Sequence, residues 1–258
     1  MSTQNYSQLE RRRATIGPAT IAYEVAGSGP PVVLVHGLSG SSRWWRRNIG
    51  VLTPYRRVYV IDLIGFGASR TRHPFALAEA ASYLTQWLDR LELARASLVG
   101  HSMGGLIVAE LAADVPERVD RLVLVDPAVL PLDTHLTTHA LRLLHELRTI
   151  SPSFLPVLLA DTLRAGPLTF WRAARALMLA DLRPKLALIR APTLVIWGEH
   201  DALVPLAFAR QLSQYLRYEE LVVIKGAGHV PMWDRPQEFN RVLTGFLIGD
   251  EGRKTEDE

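Results

Sequence analysis

The 258-residue sequence predicts an α/β fold, a mostly parallel central sheet with helices on both faces and one inserted helical segment. Two observations predict the sheet. Short runs rich in Val, Leu and Ile recur along the chain, each ending in turn or polar residues, and helix-like segments alternate with them. A third predicts the insertion: the alternation stops between Ala128 and Leu188, where no strand can be written.

In chain order, "TIGPATIAYEVAG" (15–27) reads as a hairpin adding antiparallel strands at the sheet's edge. The runs "PVVLVHG", "RVYVIDLIG", "ASLVGHS", "RLVLVDP", "PTLVIWGEHD" and "ELVVIKGAGH" are apolar on both faces, as strands covered on both sides must be. Between and after them, "RWWRRNIGVL", "FALAEAASYLTQWLDRL", "MGGLIVAELAADV", "VPLAFARQLSQYL" and "PQEFNRVLTGFL" read as helices in right-handed crossovers. Residues 128–188 are Leu-rich, helical in pattern and broken at Pro152, Pro156, Pro167 and Pro184. Their apolar residues need something to cover. The expectation is therefore a helical cap (128–188) on a core made of residues 1–127 and 189–258.

Composition excludes several functions. With 48% apolar and 21% charged residues, the chain reads as an ordinary globular protein. A net charge of +3, densest at "RRR" (11–13) and "RWWRR" (43–47), is too thin for a nucleic-acid stripe. No cysteine is present, which excludes disulfides, a thiol nucleophile and Cys-ligated zinc. The first residues, "MSTQNYSQLERRR", lack the apolar stretch of a secretory signal, and no run of about 18 apolar residues occurs, so a cytoplasmic protein without a membrane span is expected. His135 and His139 stand four apart with His145 nearby, but no carboxylate completes an HExxH pattern, so no metal is expected. The basic residues of the cap, from Arg142 to Lys185, read as solvated helix faces rather than a lipid contact. A long apolar cap invites homodimerisation, although no interface signature accompanies it.

The chemistry concentrates where strands end, the place where open parallel sheets bind ligands. Ser102 follows "ASLVG" and opens a helix, with Gly100 and Gly104 two residues either side. A strand turning at once into a helix strains the central residue and leaves no room for flanking side chains, so the glycines free Ser102 to project its hydroxyl. A serine hydroxyl needs a base, and the base a carboxylate. Asp201 and His229 each follow a later strand, giving the chain order Ser, Asp, His. Asp126, ending "LVLVDP", is a competing acid. An oxyanion would need two amides, expected from Met103 and from Leu38 in the turn "VHGLSGSS". His36 in that turn reads as a brace or as a second base. Trp44 and Trp45 are candidates for the acyl pocket, as are Phe154, Phe170, Trp171 and Met178 of the cap, all of which could equally serve packing. "DLIGFGAS" (62–69) carries glycines without a dinucleotide-binding context and reads as a loop shaping the pocket wall.

The set "VVLVHGLSG", "DLIGFGAS", "GHSMGG", "GEHD" and "GAGHVPMWDRPQEF" resembles the α/β-hydrolase superfamily over nearly the whole chain. The resemblance implies a cofactor-free serine hydrolase in which Ser102 is acylated and then freed by water, His229 acting as base and acid and Asp201 orienting it. It leaves the substrate open. Haloalkane dehalogenases and epoxide hydrolases use an aspartate at the position of Ser102, and proline iminopeptidases carry a "GGSWGG" elbow absent here. A small-molecule carboxylic ester is the expected substrate. Carbon-carbon bond hydrolases of meta-cleavage type, lactonases, perhydrolases and hydrolase-like small-molecule receptors are the alternatives; the meta-cleavage enzymes usually carry Asn where this chain has His101.

Overall fold

The computed structural model describes residues 9–69, 74–131, 150–218 and 220–249. Eight strands form one sheet: β1 (Glu10–Ile16), β2 (Ala19–Ala26), β3 (Pro31–Val35), β4 (Arg57–Ile61), β5 (Ala96–His101), β6 (Val119–Val125), β7 (Thr193–Gly198) and β8 (Glu220–Ile224), in the order β1-β2-β4-β3-β5-β6-β7-β8. The hairpin lies at the edge, β1 antiparallel to β2 and β2 antiparallel to β4, while β3 to β8 pair in parallel.

Alternation along β3 shows why the central strands are apolar throughout. Val33 and Val35 enter the core layer on one face and Val32 and Leu34 the layer on the other, and all four are fully buried. The helices of the described residues are α1 (Ile49–Leu52), α2 (Leu77–Arg90), α3 (Met103–Asp114), α4 (Leu155–Ala165), α5 (Pro167–Met178), α6 (Arg183–Leu186), α7 (Ala207–Leu212), α8 (Pro231–Asp234) and α9 (Pro236–Ile248). Among the described residues no helix is long and apolar enough to cross a membrane.

Two sequence expectations need correction. "RWWRRNIGVL" is not one helix but a 3-10 turn (Ser42–Trp45) followed by the single turn of α1. The Ser42 amide donates to Asp62 Oδ1 (2.6 Å), an acceptor outside the segment, which holds the chain in the tighter turn. In "VPLAFARQLSQYL" the helix covers only Ala207–Leu212.

Residues 150–188 carry helices α4 to α6, and polar ties fasten them to the rest of the chain. Lys185 Nζ donates to Glu110 and Asp114 of α3 (2.9 Å each), and the Leu182 amide to the Val129 carbonyl (3.1 Å). The central tie is Asp161 of α4, wholly buried, whose carboxylate accepts from the Ser41 hydroxyl (2.8 Å), the Trp44 indole N–H (3.2 Å) and the Arg43 guanidinium. Removing the acceptor orphans buried donors, so Asp161→Ala should destabilise the protein by on the order of 3 kcal/mol. Urea denaturation should show a lower midpoint at unchanged slope, with Asp161→Asn milder because it keeps one acceptor; an unshifted midpoint for Asp161→Ala would contradict this role.

Candidate active site

Ser102 sits between β5 and α3 at φ 53 and ψ −115, a conformation that non-glycine residues adopt only at a cost of roughly 1–3 kcal/mol. The surrounding backbone holds it there. Its amide donates to the Val125 carbonyl (2.9 Å), and its carbonyl accepts from the Leu106 and Ala128 amides. The flanking glycines are sterically required. A Cβ on Gly100 would lie 2.4 Å from the Gly104 carbonyl oxygen, and one on Gly104 would lie 2.5 Å from the His36 carbonyl oxygen.

His229, in the loop after β8, bridges the other two residues: Nε2 is 3.0 Å from Ser102 Oγ, and Nδ1 is 2.7 Å from Asp201 Oδ2. All three are buried. Asp201, just past β7, is itself fixed, because its Oδ1 accepts from the Leu203 (2.8 Å) and Val204 (2.9 Å) amides. The ring nitrogen facing Asp201 therefore carries the proton, which leaves Nε2 to accept from Ser102. The Asp126 and Asp201 carboxylates and His229 bring three donor atoms within 4.8 Å of one another, a set that could in principle hold a cation. Those of Asp201 are engaged as described, and Asp126 Oδ1 accepts from the Gly198 amide (2.8 Å). Within this cluster His229 and Asp201 are joined by a hydrogen bond, and Asp126 ties β6 to β7. His135, His139 and His145 lie outside the described residues.

The early turn lies against the serine, since a Cβ on Gly37 would lie 3.1 Å from Ser102 Cβ. The Leu38 amide follows Gly37 in this turn, and the first amide of α3 is that of Met103, an N–H with no acceptor within its own helix. Sequence reading leaves the supports of this turn largely unseen. His36 accepts the Leu63 amide at Nε2 (3.0 Å), which makes Nδ1 the donor to the Gly37 carbonyl (2.7 Å), so His36 is a brace. Asp62 accepts the Ser42 and Ala68 amides (2.6 Å each), and the closeness of Gly67 to its carboxylate explains the glycine. "DLIGFGAS" therefore props the turn rather than merely walling a pocket. His101 donates from Nε2 to the His229 carbonyl (2.6 Å) and so fixes the loop that carries the base.

The six aromatic and methionine candidates separate. Trp44 is buried with its ring against His101 (centroids 5.7 Å apart) and edge-on to Phe154 (5.0 Å), so these two stand beside the site. Trp45 turns away to pack on Phe239 (6.3 Å) and is a core residue, because a 3-10 turn sends successive side chains in different directions. Phe170 and Trp171 are exposed on α5, Trp171 at 61%, and Met178, the last residue of that helix, is half-buried. The structure brings neither Phe170 nor Trp171 to Ser102.

Burial lowers the proton affinity of both His36 and His101 below the ordinary value of 6.5, that of His101 strongly and with the charge of His229 adding to the effect, whereas Asp62 opposes the shift at His36. Both imidazoles are then neutral when folded, and the unfolded chain takes up protons first as pH falls. Stability should be complete well above pH 6.5 and decline as pH drops below it, the slope reporting this proton uptake. Chemical denaturation across that window should show a flatter slope for His101→Gln. A slope unchanged by the substitution would contradict the assignment.

The chain is similar to several known proteins. The model of the alpha/beta hydrolase family matches residues 32–242. A putative carbamate hydrolase, RutD, of Serratia proteamaculans is 30% identical, covering 90% of this chain and 98% of its own. A 2-hydroxy-6-oxo-2,4-heptadienoate hydrolase of Pseudomonas putida is 29% identical over 87% of this chain and 91% of its own. Among solved structures, a thermophilic esterase from Thermogutta terrifontis superposes with a TM-score of 0.79 at 25% identity, covering 92% of this chain and 98% of that one.

Proposed function

We propose, from the premise that this chain belongs to the α/β-hydrolase family, that it is a serine hydrolase cleaving carboxylic esters of small to medium acyl chains. The observation that carries the reading is His229 standing within hydrogen-bond reach of both Ser102 and Asp201.

In this account His229 Nε2 takes the proton of Ser102 as Oγ attacks the ester carbonyl. The negative charge on the former carbonyl oxygen is met by the amides of Leu38 and Met103. His229 then gives the proton to the departing alkoxide, and the alcohol leaves an acyl-Ser102. Water enters, loses a proton to Nε2 and attacks the acyl carbon; collapse of the second tetrahedral species returns the proton to Ser102 and releases the acid. Asp201 holds the imidazole in the required tautomer throughout and stabilises its transient positive charge. Helices α4 to α6, within residues 150–188, cap the site in this account, with Trp44 and Phe154 beside the acyl group.

The test is hydrolysis of p-nitrophenyl esters from acetate to laurate beside Ser102→Ala. A serine-dependent rate peaking at one chain length supports the reading; no multiple turnover on any of them overturns it. A second reading, carbon-carbon bond hydrolysis, is favoured by the 29%-identical 2-hydroxy-6-oxo-2,4-heptadienoate hydrolase. Loss of the absorbance of a 2-hydroxy-6-oxo-dienoate, with inert esters, would select it.

A further inference from the structure

We propose that the outer face of α4 and α5, together with an arginine-lined cleft beside it, docks the protein on an anionic lipid surface. The inference concerns a surface away from Ser102 and begins with an inversion in α4. This helix buries its one acid, Asp161, and turns Leu159 and Leu163 outward, Leu163 at 81% exposure. Helix α5 buries Ala173 and Leu177 and presents Leu168, Trp171, Arg172 and Arg175 as an outward stripe at helical spacing. Gly166 joins the two helices directly, so the Leu163 turn runs into the Leu168 turn.

This apolar exposure is concentrated. Of the nine large exposed hydrophobic residues among the described residues, seven fall between Leu159 and Leu188, which is a patch and not the usual scatter. The charge of α4 and α5 is one-signed on the outside: from Ile150 to Ala180 the charged residues are Asp161, Arg164, Arg172 and Arg175, and the only acid among them is buried, while the exposed Asp181 just beyond is paired with Arg183.

Arg164, next to Leu163, also lines a cleft of about 620 Å³ with Arg11, Arg12, Arg13 and Arg43. The "RRR" of edge strand β1, which the proposed chemistry leaves unused, therefore meets the cap here. Part of the charge is balanced, Arg11 by Glu24, Arg12 by Glu10, and Arg43 and Arg164 by Asp161, while Arg13 has no ion pair among the described residues.

Leucine and tryptophan side chains that enter the headgroup boundary beside arginines that meet lipid phosphates are the combination by which a protein lies on an anionic bilayer without crossing it. A second copy of the chain fits less well. A two-fold contact through this face would bring Arg172 and Arg175 of both copies together with no exposed acid between them.

The experiment uses the full chain carrying Ser102→Ala, so that docking is read without hydrolysis and its failure is separate from failure of the esterase reading. Trp171 is the one exposed tryptophan of the six, so its fluorescence reports this face. Sedimentation with phosphatidylglycerol vesicles should carry the protein down, phosphatidylcholine vesicles should not, and added salt should weaken binding. Emission should shift to the blue on binding and stay unshifted in Trp171→Phe. Leu163→Ser with Leu168→Ser, and separately Arg13→Glu with Arg172→Glu, should each weaken binding about tenfold or more. Absence of binding to phosphatidylglycerol vesicles, or binding that neither pair weakens, overturns the proposal. So does a dimer in light scattering that Leu163→Ser with Leu168→Ser dissolves while vesicles bind nothing.

Discussion

Ser102→Ala is expected to lower ester turnover by about 10⁶-fold, to the residual rate that binding and the oxyanion amides alone provide. The substitution removes the hydroxyl that hydrogen-bonds His229 Nε2 and leaves the elbow's backbone contacts in place, since these run through the Ser102 amide and carbonyl. A second substitution at the same position separates chemistry from strain. Because φ is +53 there, Ser102→Gly should be equally inactive yet more stable than Ser102→Ala by about 1 kcal/mol, as glycine adopts that conformation without a Cβ penalty. Paired urea titrations and rate measurements check both statements. A Ser102→Gly variant less stable than Ser102→Ala would mean that the elbow is not strained.

Asp201→Asn should slow hydrolysis by roughly 10⁴-fold, the scale seen when the equivalent acid of another serine triad loses its charge. An amide can present its N–H₂ to His229 Nδ1 and so favour the tautomer with the proton on Nε2, which cannot accept from Ser102. The two amide donors on Asp201 Oδ1, from Leu203 and Val204, would still be met by the Asn carbonyl, so the loop should hold. Asp126→Asn is the internal control. Its Oδ1 accepts from the Gly198 amide, which an Asn carbonyl also satisfies, so its rate should stay within about tenfold of wild type. A large loss at position 126 with little at 201 would exchange their roles.

How much of this could be read from the chain depends on how local the cause is. The strands were legible because burial on both faces makes each a continuous apolar run, and the elbow because Gly100 answers a steric demand set within five residues, by the Gly104 carbonyl, although the demand on Gly104 comes from Val35 and His36, far away in sequence. The expected order Ser, Asp, His fits the positions at which the structure gathers the three side chains, since each follows a strand of the parallel sheet at the same end. What stayed hidden depends on partners far away in sequence. The Ser42–Trp45 turn replaces a helix because Asp62, twenty residues on, takes the Ser42 amide. Asp161 looks like an outward-facing acid in a leucine-rich helix, and it is buried because Ser41, Arg43 and Trp44, more than a hundred residues earlier, converge on it. Only its solitude in "LPVLLADTLRA" hinted at this. The exposure of Phe170 and Trp171 is illegible for the complementary reason, because apolar periodicity cannot tell a face packed on the core from one turned outward when the helix carries apolar residues on both.

The central claim is that Ser102 carries the acyl group between the two half-reactions. Rapid mixing of the protein with p-nitrophenyl butyrate, followed by acid quench and mass analysis of the digested chain, tests it most directly. The account predicts an early release of p-nitrophenol and one butyryl group on the peptide holding Ser102, both absent in Ser102→Ala. Steady ester turnover with no acyl group on that peptide, or with the acyl group on another residue, would contradict it.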